Sequence, residues 1–460
     1  MERLLKKAVE HADSAEAYFI ESEEIPVSFE ANRLKRLETK KTTGSALRVI
    51  KQGRLGLAAS TAMDDVARDH LVRKAVESSK IGEVATFDFP DLSGEHSSPP
   101  QAATESHPMQ CAQRVPKIYD PSVTDIGAEE LVSVGKDMIS VITGYDPEIR
   151  CDAELTRAVE EVTIANSNGG GGSYRKSILF GSLAATAIDG NDILTVYRGM
   201  GSCRNDLDYQ SLAEEIVEVL KLARTIVPAD TGQMPVLFTP RGIIPLLLAL
   251  REGFNGKTVF QGASPMAGKI GIKAFDSRLS IYDDASLDYA VRSAPIDEEG
   301  VPTQRTPLIE EGIVKHFYYD LQTAGLVGTQ STGNGFRTTR SGDAFEGPPT
   351  PITTNVVILP GDAELADMIS GMDRGIIVDQ TIGAGQGNIL SGEFSINVHL
   401  GFKVEKGKIT GRIKNTMVAG NALEALNNMT AMSKKTEWVY GQYSSPWILF
   451  SSLGVATQGK

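Results

Sequence analysis

Metal-assisted hydrolysis, acyl transfer and phosphate handling each require particular side chains at particular spacings. A catalytic zinc needs three protein ligands and an open position, commonly two histidines on one helical face with a glutamate base beside them. The chain has six histidines and no H-E-x-x-H. His11, His70, His96, His107, His316 and His399 are scattered, the last two in strand-like IVKHFYYD and INVHLGF, where structural roles are expected. A serine nucleophile needs a sharp turn that brings His and Asp to it, and no G-x-S-x-G occurs. The glycine run in ANSNGGGGS (165–173) could cradle phosphate only if a helix N-terminus followed it. Instead YRKSILFGSLAATA follows and reads as another strand, so the glycines are expected to form a hairpin tip.

A more site-like layout is IPLLLALREGFNGKTVFQGASPMAGKIG (244–271), an apolar helix running into a glycine-punctuated loop. The helix has no histidine or cysteine, and its only acid is Glu252. Ile243, Ile244, Leu247, Leu248 and Leu250 make it apolar all round, which predicts a core helix. Donors also cluster farther on. Arg305 and Thr306 lie in EEGVPTQRTPLIEEGIVKHFYYD (298–320), and Asn334 and Arg337 lie in or beside STGNGFR, ahead of RSGDAFEGPPTPITTNVVI. They could meet a peptide or a partner, or simply cap ordered loops. Extended, glycine-flanked strands are natural templates for an added peptide strand.

The elements that must position these residues can be read from periodicity. MERLLKKAVEHADSAEA predicts an amphipathic helix with Leu4, Leu5, Ala8, Val9 and Ala12 on one face. AEAYFIESEEIPVSFEANRLKRLE alternates in strand fashion, and SALRVIKQGRLGLAAS predicts a hairpin turned at Gln52–Gly53. Helices are expected over 62–80, 127–143 and 209–226, and an exposed connector over about 85–120. In the second half PVLFTP, LSIYDD, the pair around IEEGIVK, NVVILP, GIIVDQ and GEFSINVHLGFKVEKGKITGRI read as strands, with short helices at 361–371 and 421–430. Mixing without a regular βαβ alternation predicts an α+β fold with largely antiparallel sheets. The expected organisation is an N-terminal α+β domain, 1–228, and a strand-rich C-terminal α+β domain, 229–460.

Bulk properties narrow the function classes. The 46 basic residues against 59 acidic ones give a net charge of −13, which disfavours broad contact with nucleic acid phosphates. Arg33 to Lys41 (RLKRLETKK) is a local basic exception, expected to be a solvated face. Cys111, Cys151 and Cys203 are odd in number and widely spaced, so they make neither a disulfide framework nor a zinc cluster and fit a reducing cytoplasm. The N-terminus lacks the apolar core of a signal peptide, and the longest apolar run, 242–250, is too short to span a bilayer.

Several stretches in order, SALRVIKQGRLGLAAS, IYDP, FQGASPMAGKIG, GVPTQRTPLIEEGIVKHFYYD, STGNG and SGEFSINVHLGFKVEKGKITGRIKNTMVAGN, resemble the TldD/PmbA family. That family includes proteins once described as modulators of DNA gyrase. The resemblance implies a two-domain α+β fold, dimers, and in the best-understood form a heterodimeric zinc peptidase. The TldD-type subunit there carries H-E-x-x-x-H on a helix before a glycine loop, plus a late cysteine ligand. Setting GASPMAGKIG on that loop puts LLALRE, Leu247 to Glu252, where the histidines belong, with Leu248 in place of the base and Tyr440 near the cysteine position. The chain is therefore similar to the PmbA (TldE) branch. This implies a non-catalytic subunit without its own cofactor, with zinc held in a TldD-type partner, and with peptide or partner contacts at Gly262, Ser264, Lys269, Arg305, Thr306, Asn334 and Arg337. The rival readings are an autonomous peptidase with a different catalytic set and a regulator that contacts gyrase protein.

Overall fold

A computed structural model describes residues 1–62, 64–91, 114–338, 343–385 and 388–457. His96, His107, Cys111, most of the expected connector and residues 340–342 of the second donor-rich stretch lie outside the described residues. The connector's described ends are not exposed throughout, since Phe89 and Ile118 are both buried.

Among the described residues the strands form a seven-stranded sheet, an eleven-stranded sheet and a two-stranded ribbon. The first sheet is built of long antiparallel hairpins, with Ser14–Glu30 between Lys40–Lys51 and Arg150–Asn166. Two-residue turns at Ala31–Asn32 and Gln52–Gly53 have positive φ at both positions, the twist that matches two antiparallel strands. The glycine run does form a hairpin tip, between Arg150–Asn166 and Gly171–Asp189. Asp192–Ser202 then adds an edge strand that the sequence pattern had not marked.

Strand alternation assigns the two faces of this sheet. Ala15, Ala17, Val27 and Phe29 of Ser14–Glu30 point to the helices. Glu2–Val9 and Asp65–Ser78 cover one end and Ala128–Tyr145 with Tyr209–Ala223 the other. On the first helix Leu4 and Ala8 are buried, whereas Val9, expected on the same face, is exposed. Glu16 and Tyr18 point the other way, toward residues 296–345.

The second sheet is mixed. Most pairs are antiparallel, but Gly232–Phe238 runs parallel to Arg374–Ile382, and Val356–Ile358 runs parallel to Tyr443–Thr457. Its central strands are buried on both faces. Leu237 and Ile377 face the helices of the first half, while Val236, Phe238, Ile376 and Val378 face the helix Ile244–Phe254. The layers are thus sheet, helix pair, sheet, helix, and one apolar core crosses from the first half into the second.

Close approach at the middle layers depends on Gly135 in Ala128–Tyr145, where a Cβ would lie 2.3 Å from the Phe29 ring. Gly135→Leu should therefore lower stability by about 1–3 kcal/mol, the cost of overpacking a filled core. A thermal melt that matches the parent would show that the helix stands off the sheet.

Candidate functional site

The turn into the apolar helix is tied locally. The Thr239 hydroxyl accepts from the backbone N–H groups of Arg241 (3.2 Å) and Gly242 (3.0 Å). Gly242 packs so closely that a Cβ would meet the Val378 carbonyl at 2.2 Å. The helix Ile244–Phe254 then buries Leu246, Leu247, Leu250 and Phe254 in the second core. Ile244 and Leu248 differ from expectation: both are half-buried, on the same partly open stripe of the helix as Arg251 and Glu252. Glu252 is half-buried and pairs with its neighbour Arg251 at 3.1 Å.

Tyr440 lies in the turn between Met429–Val439 and Tyr443–Thr457, with φ at +53°. Its ring is 5.7 Å from that of Tyr197. Burial pushes its phenol up and Tyr197 adds to this, while Arg241 and Arg198 pull it back. Those arginines are already engaged, Arg198 with Glu215 and Asp379, and Arg241 with Glu215 and Glu437.

The loop after the helix is pinned by Ser264, whose hydroxyl donates to the Gly253 carbonyl (2.5 Å) and accepts from the Met266 N–H (2.9 Å). Gly262, at φ +69°, is exposed, and Lys269 is half-exposed in a turn. The four downstream donors do not converge. Arg305 is exposed above the Tyr282 ring, 3.8 Å from its centroid. Thr306 is buried with its hydroxyl unpartnered. Asn334 is buried and donates to Asp283 (2.6 Å) and to the Ile352 carbonyl (2.9 Å).

Arg337 belongs to a buried ionic network that sequence reasoning missed. Its guanidinium lies 3.1 Å from Glu16, whose other oxygen is 2.7 Å from Arg48. Arg48 also reaches Glu299 at 2.6 Å and is flanked by the rings of Phe87 and Phe89. Glu298 accepts from the Tyr18 hydroxyl and the Arg337 N–H, and Asp297 accepts from the N–H groups of Glu299, Val301 and Gly335. Three carboxyls, Glu16, Glu298 and Glu299, thus gather around two guanidiniums, with Asp297 held beside them by backbone N–H groups. Burial pushes Asp297, Glu298 and Glu16 up; the arginines oppose this at Glu16 and Glu298. The available signal was one charged residue inside an apolar strand, Glu16 in AEAYF and Arg48 in ALRVI.

The residues around the helix do not fit a zinc ion. Two leucines and an Arg-paired glutamate cannot supply three ligands. Among the described residues no group of three or more His, Cys, Asp or Glu is placed to hold a metal. Cys151 and Cys203 are buried, their thiols pushed up to about 12 and about 11 by desolvation, as expected of inert cysteines. The His399 Nε2 is 2.9 Å from the Thr195 carbonyl, a link between the sheets.

Models of three PmbA/TldA metallopeptidase domains match the chain: domain 1 over residues 15–79, the central domain over 121–224 and the C-terminal domain over 231–457. The chain belongs to the TldD/PmbA family. The crystal structure of TldE from Thermococcus kodakarensis superposes with a TM-score of 0.87 at 25% identity, covering 99% of each chain. A Thermotoga maritima structure named for modulation of a DNA gyrase shares the fold, with a TM-score of 0.83 at 21% identity over 99% of both chains. An uncharacterized Methanocaldococcus jannaschii protein is 25% identical over 98% of both chains. The metalloprotease TldD homolog of Haemophilus influenzae is 32% identical over 49% of this chain and 46% of its own length. Within this metallopeptidase family, then, the chain keeps the architecture and carries an aliphatic helix beside the loop FQGASPMAGKIG.

Leu247→Asp should destabilise the protein by several kcal/mol, because it buries an unpaired charge. Leu248→Asp should cost about 1 kcal/mol or less, since its side chain can reach water. Equal thermal shifts for the two would contradict this orientation of the helix.

Buried carboxyls also set a pH dependence. Burial raises Asp283 from 3.8 to about 7 and Asp320 to about 6. A raised carboxyl favours the folded state below the unfolded value, and that contribution is lost as pH rises through the folded one. Thermal stability should accordingly fall between about pH 4 and pH 7. Asp320 caps the helix Leu321–Val327 by accepting from the Thr323 N–H, which an amide oxygen can also do. Asp320→Asn should thus keep the fold and flatten part of the decline. An unchanged slope would assign it to other groups.

Proposed function

We propose that this chain is a non-catalytic, TldE-type subunit that pairs with a TldD-type zinc metallopeptidase acting on peptides. The helix Ile244–Phe254 carries this reading. Where the family resemblance expects two histidine ligands it has buried Leu247 and the Arg251-paired Glu252, and half-buried Leu248 stands where the base is expected. The chain around it retains all three family domains and superposes on TldE of Thermococcus kodakarensis over 99% of its length. Zinc in this assembly belongs to the partner. This subunit completes the peptide cleft and the dimer, with Gly262, Lys269 and Arg305 as its accessible contacts. Ser264, Thr306, Asn334 and Arg337, all buried, shape the same loops from within. A cytoplasmic setting is in keeping with the free, buried Cys151 and Cys203. No described helix is long and apolar enough to cross a membrane. Alone, the chain should form a twofold homodimer, the commonest closed assembly.

Light scattering, zinc analysis and peptide hydrolysis on the chain, on a TldD-type homologue and on their mixture test the proposal. The mixture should yield a heterodimer whose rate exceeds that of the homologue alone, with zinc tracking the homologue. Chelator-sensitive hydrolysis by this chain alone, or a monomer that leaves the homologue's rate unchanged, would overturn it.

A further inference from the structure

The basic stretch that begins at Arg33 folds as a strand with an open edge. Among the described residues Arg33–Leu37 pairs on one side only, antiparallel to the Val27–Glu30 end of the strand Ser14–Glu30. All five of its residues are exposed. Phe29 lies opposite Leu34 and Val27 opposite Leu37, with an irregularity between Ser28 and Phe29 that takes up Lys35. Directly opposed residues share a face. Leu34 and Leu37 therefore extend the apolar surface that Val27 and Phe29 bury under the helix Ala128–Tyr145. Arg33 and Arg36, opposite Glu30 and Ser28, stand on the other face. The leucines remain 45% and 48% exposed.

We propose that this edge is a docking site for an extended peptide segment whose residues alternate between acidic and apolar. Strand addition would satisfy the outward N–H and C=O groups of Arg33–Leu37. The apolar side chains of the incoming strand would cover Leu34 and Leu37 on the helix side, and its carboxylates would meet Arg33 and Arg36 on the other. Charge decides against a second copy of this strand as the occupant. Arg33–Leu37 carries three cations and no acid, so pairing two copies in either direction sets like charges side by side. A charged edge can also serve only to block aggregation, but that role does not call for two half-exposed leucines on one face. The existing partners, Glu30 for Lys35 and Glu38 for Arg36, are exposed pairs that an incoming carboxylate can displace.

The test is fluorescence anisotropy of a labelled octapeptide of alternating glutamate and valine, titrated with the full chain. Saturable binding is expected, weakening as salt rises. Arg33→Glu with Arg36→Glu, and separately Leu34→Asn with Leu37→Asn, should each weaken it about tenfold or more. These side chains are exposed, so unchanged thermal melts will show that both variants fold. The proposal is overturned by no saturable binding, by equal binding of a peptide alternating glutamate with glycine, or by an affinity indifferent to both double variants.

Discussion

The arrangement of the two halves depends on one carboxylate held between two guanidiniums. Glu16 receives Arg48 from the neighbouring strand and Arg337 from the distant loop region, all three shut away from water. A buried charge left without its partner is strongly destabilising, so strand and loop must arrive together. Because side chains alternate along a strand, a slip of one residue would turn Glu16 toward the helices and leave both arginines unmatched. The rings of Phe87, Phe89 and Tyr18 close around the guanidiniums and keep solvent out. Glu299 extends the network by accepting from the Leu321 N–H, so the start of the helix Leu321–Val327 is set from the same node.

Around that node the second half is organised by packing rather than by chemistry. The helix Ile244–Phe254 lies on one face of a sheet whose other face belongs to the core shared with the first half. Such a helix needs no metal to stay in place, because its leucines and Phe254 bury apolar surface against strands that are themselves buried. This explains how a member of a metallopeptidase family can carry Leu247 where a ligand is expected and Leu248 where a base is expected, and still keep the whole fold. Ser264, capping the Gly253 carbonyl, holds the following loop to the helix end without any ligand.

Local patterns were the legible part of this chain. Alternation and turn chemistry marked the hairpins at Gln52–Gly53 and at the glycine run, and the apolar density of residues 243–250 marked a core helix. The family resemblance marked Leu247 to Glu252 and Tyr440 as the positions where metal-site residues would be expected. Less visible were the edge strand Asp192–Ser202 and the final hairpin, Met429–Val439 with Tyr443–Thr457, whose polar turns and mixed composition hide a strand period. The donors Asn334 and Arg337 could be read either as partner contacts or as loop caps; both are buried, and their carboxyl partners lie about 50 and 320 residues away in sequence, beyond the reach of local pattern.

By itself, then, the sequence determined much of what neighbours along the chain set: most element types, two-residue turns, an apolar helix without histidine or cysteine, and an overall acidic balance. Only the tertiary structure decided which faces meet. It exposed Val9 on the expected apolar face of an amphipathic helix and half-exposed Leu248 on a helix that looks uniformly apolar, chose parallel pairing for Gly232–Phe238 with Arg374–Ile382, and gathered Glu16, Arg48, Glu299 and Arg337 into one network. The physical reason is range. Backbone preference and side-chain period act over a few residues, whereas burial and charge pairing are settled by whatever the fold brings within a few ångströms.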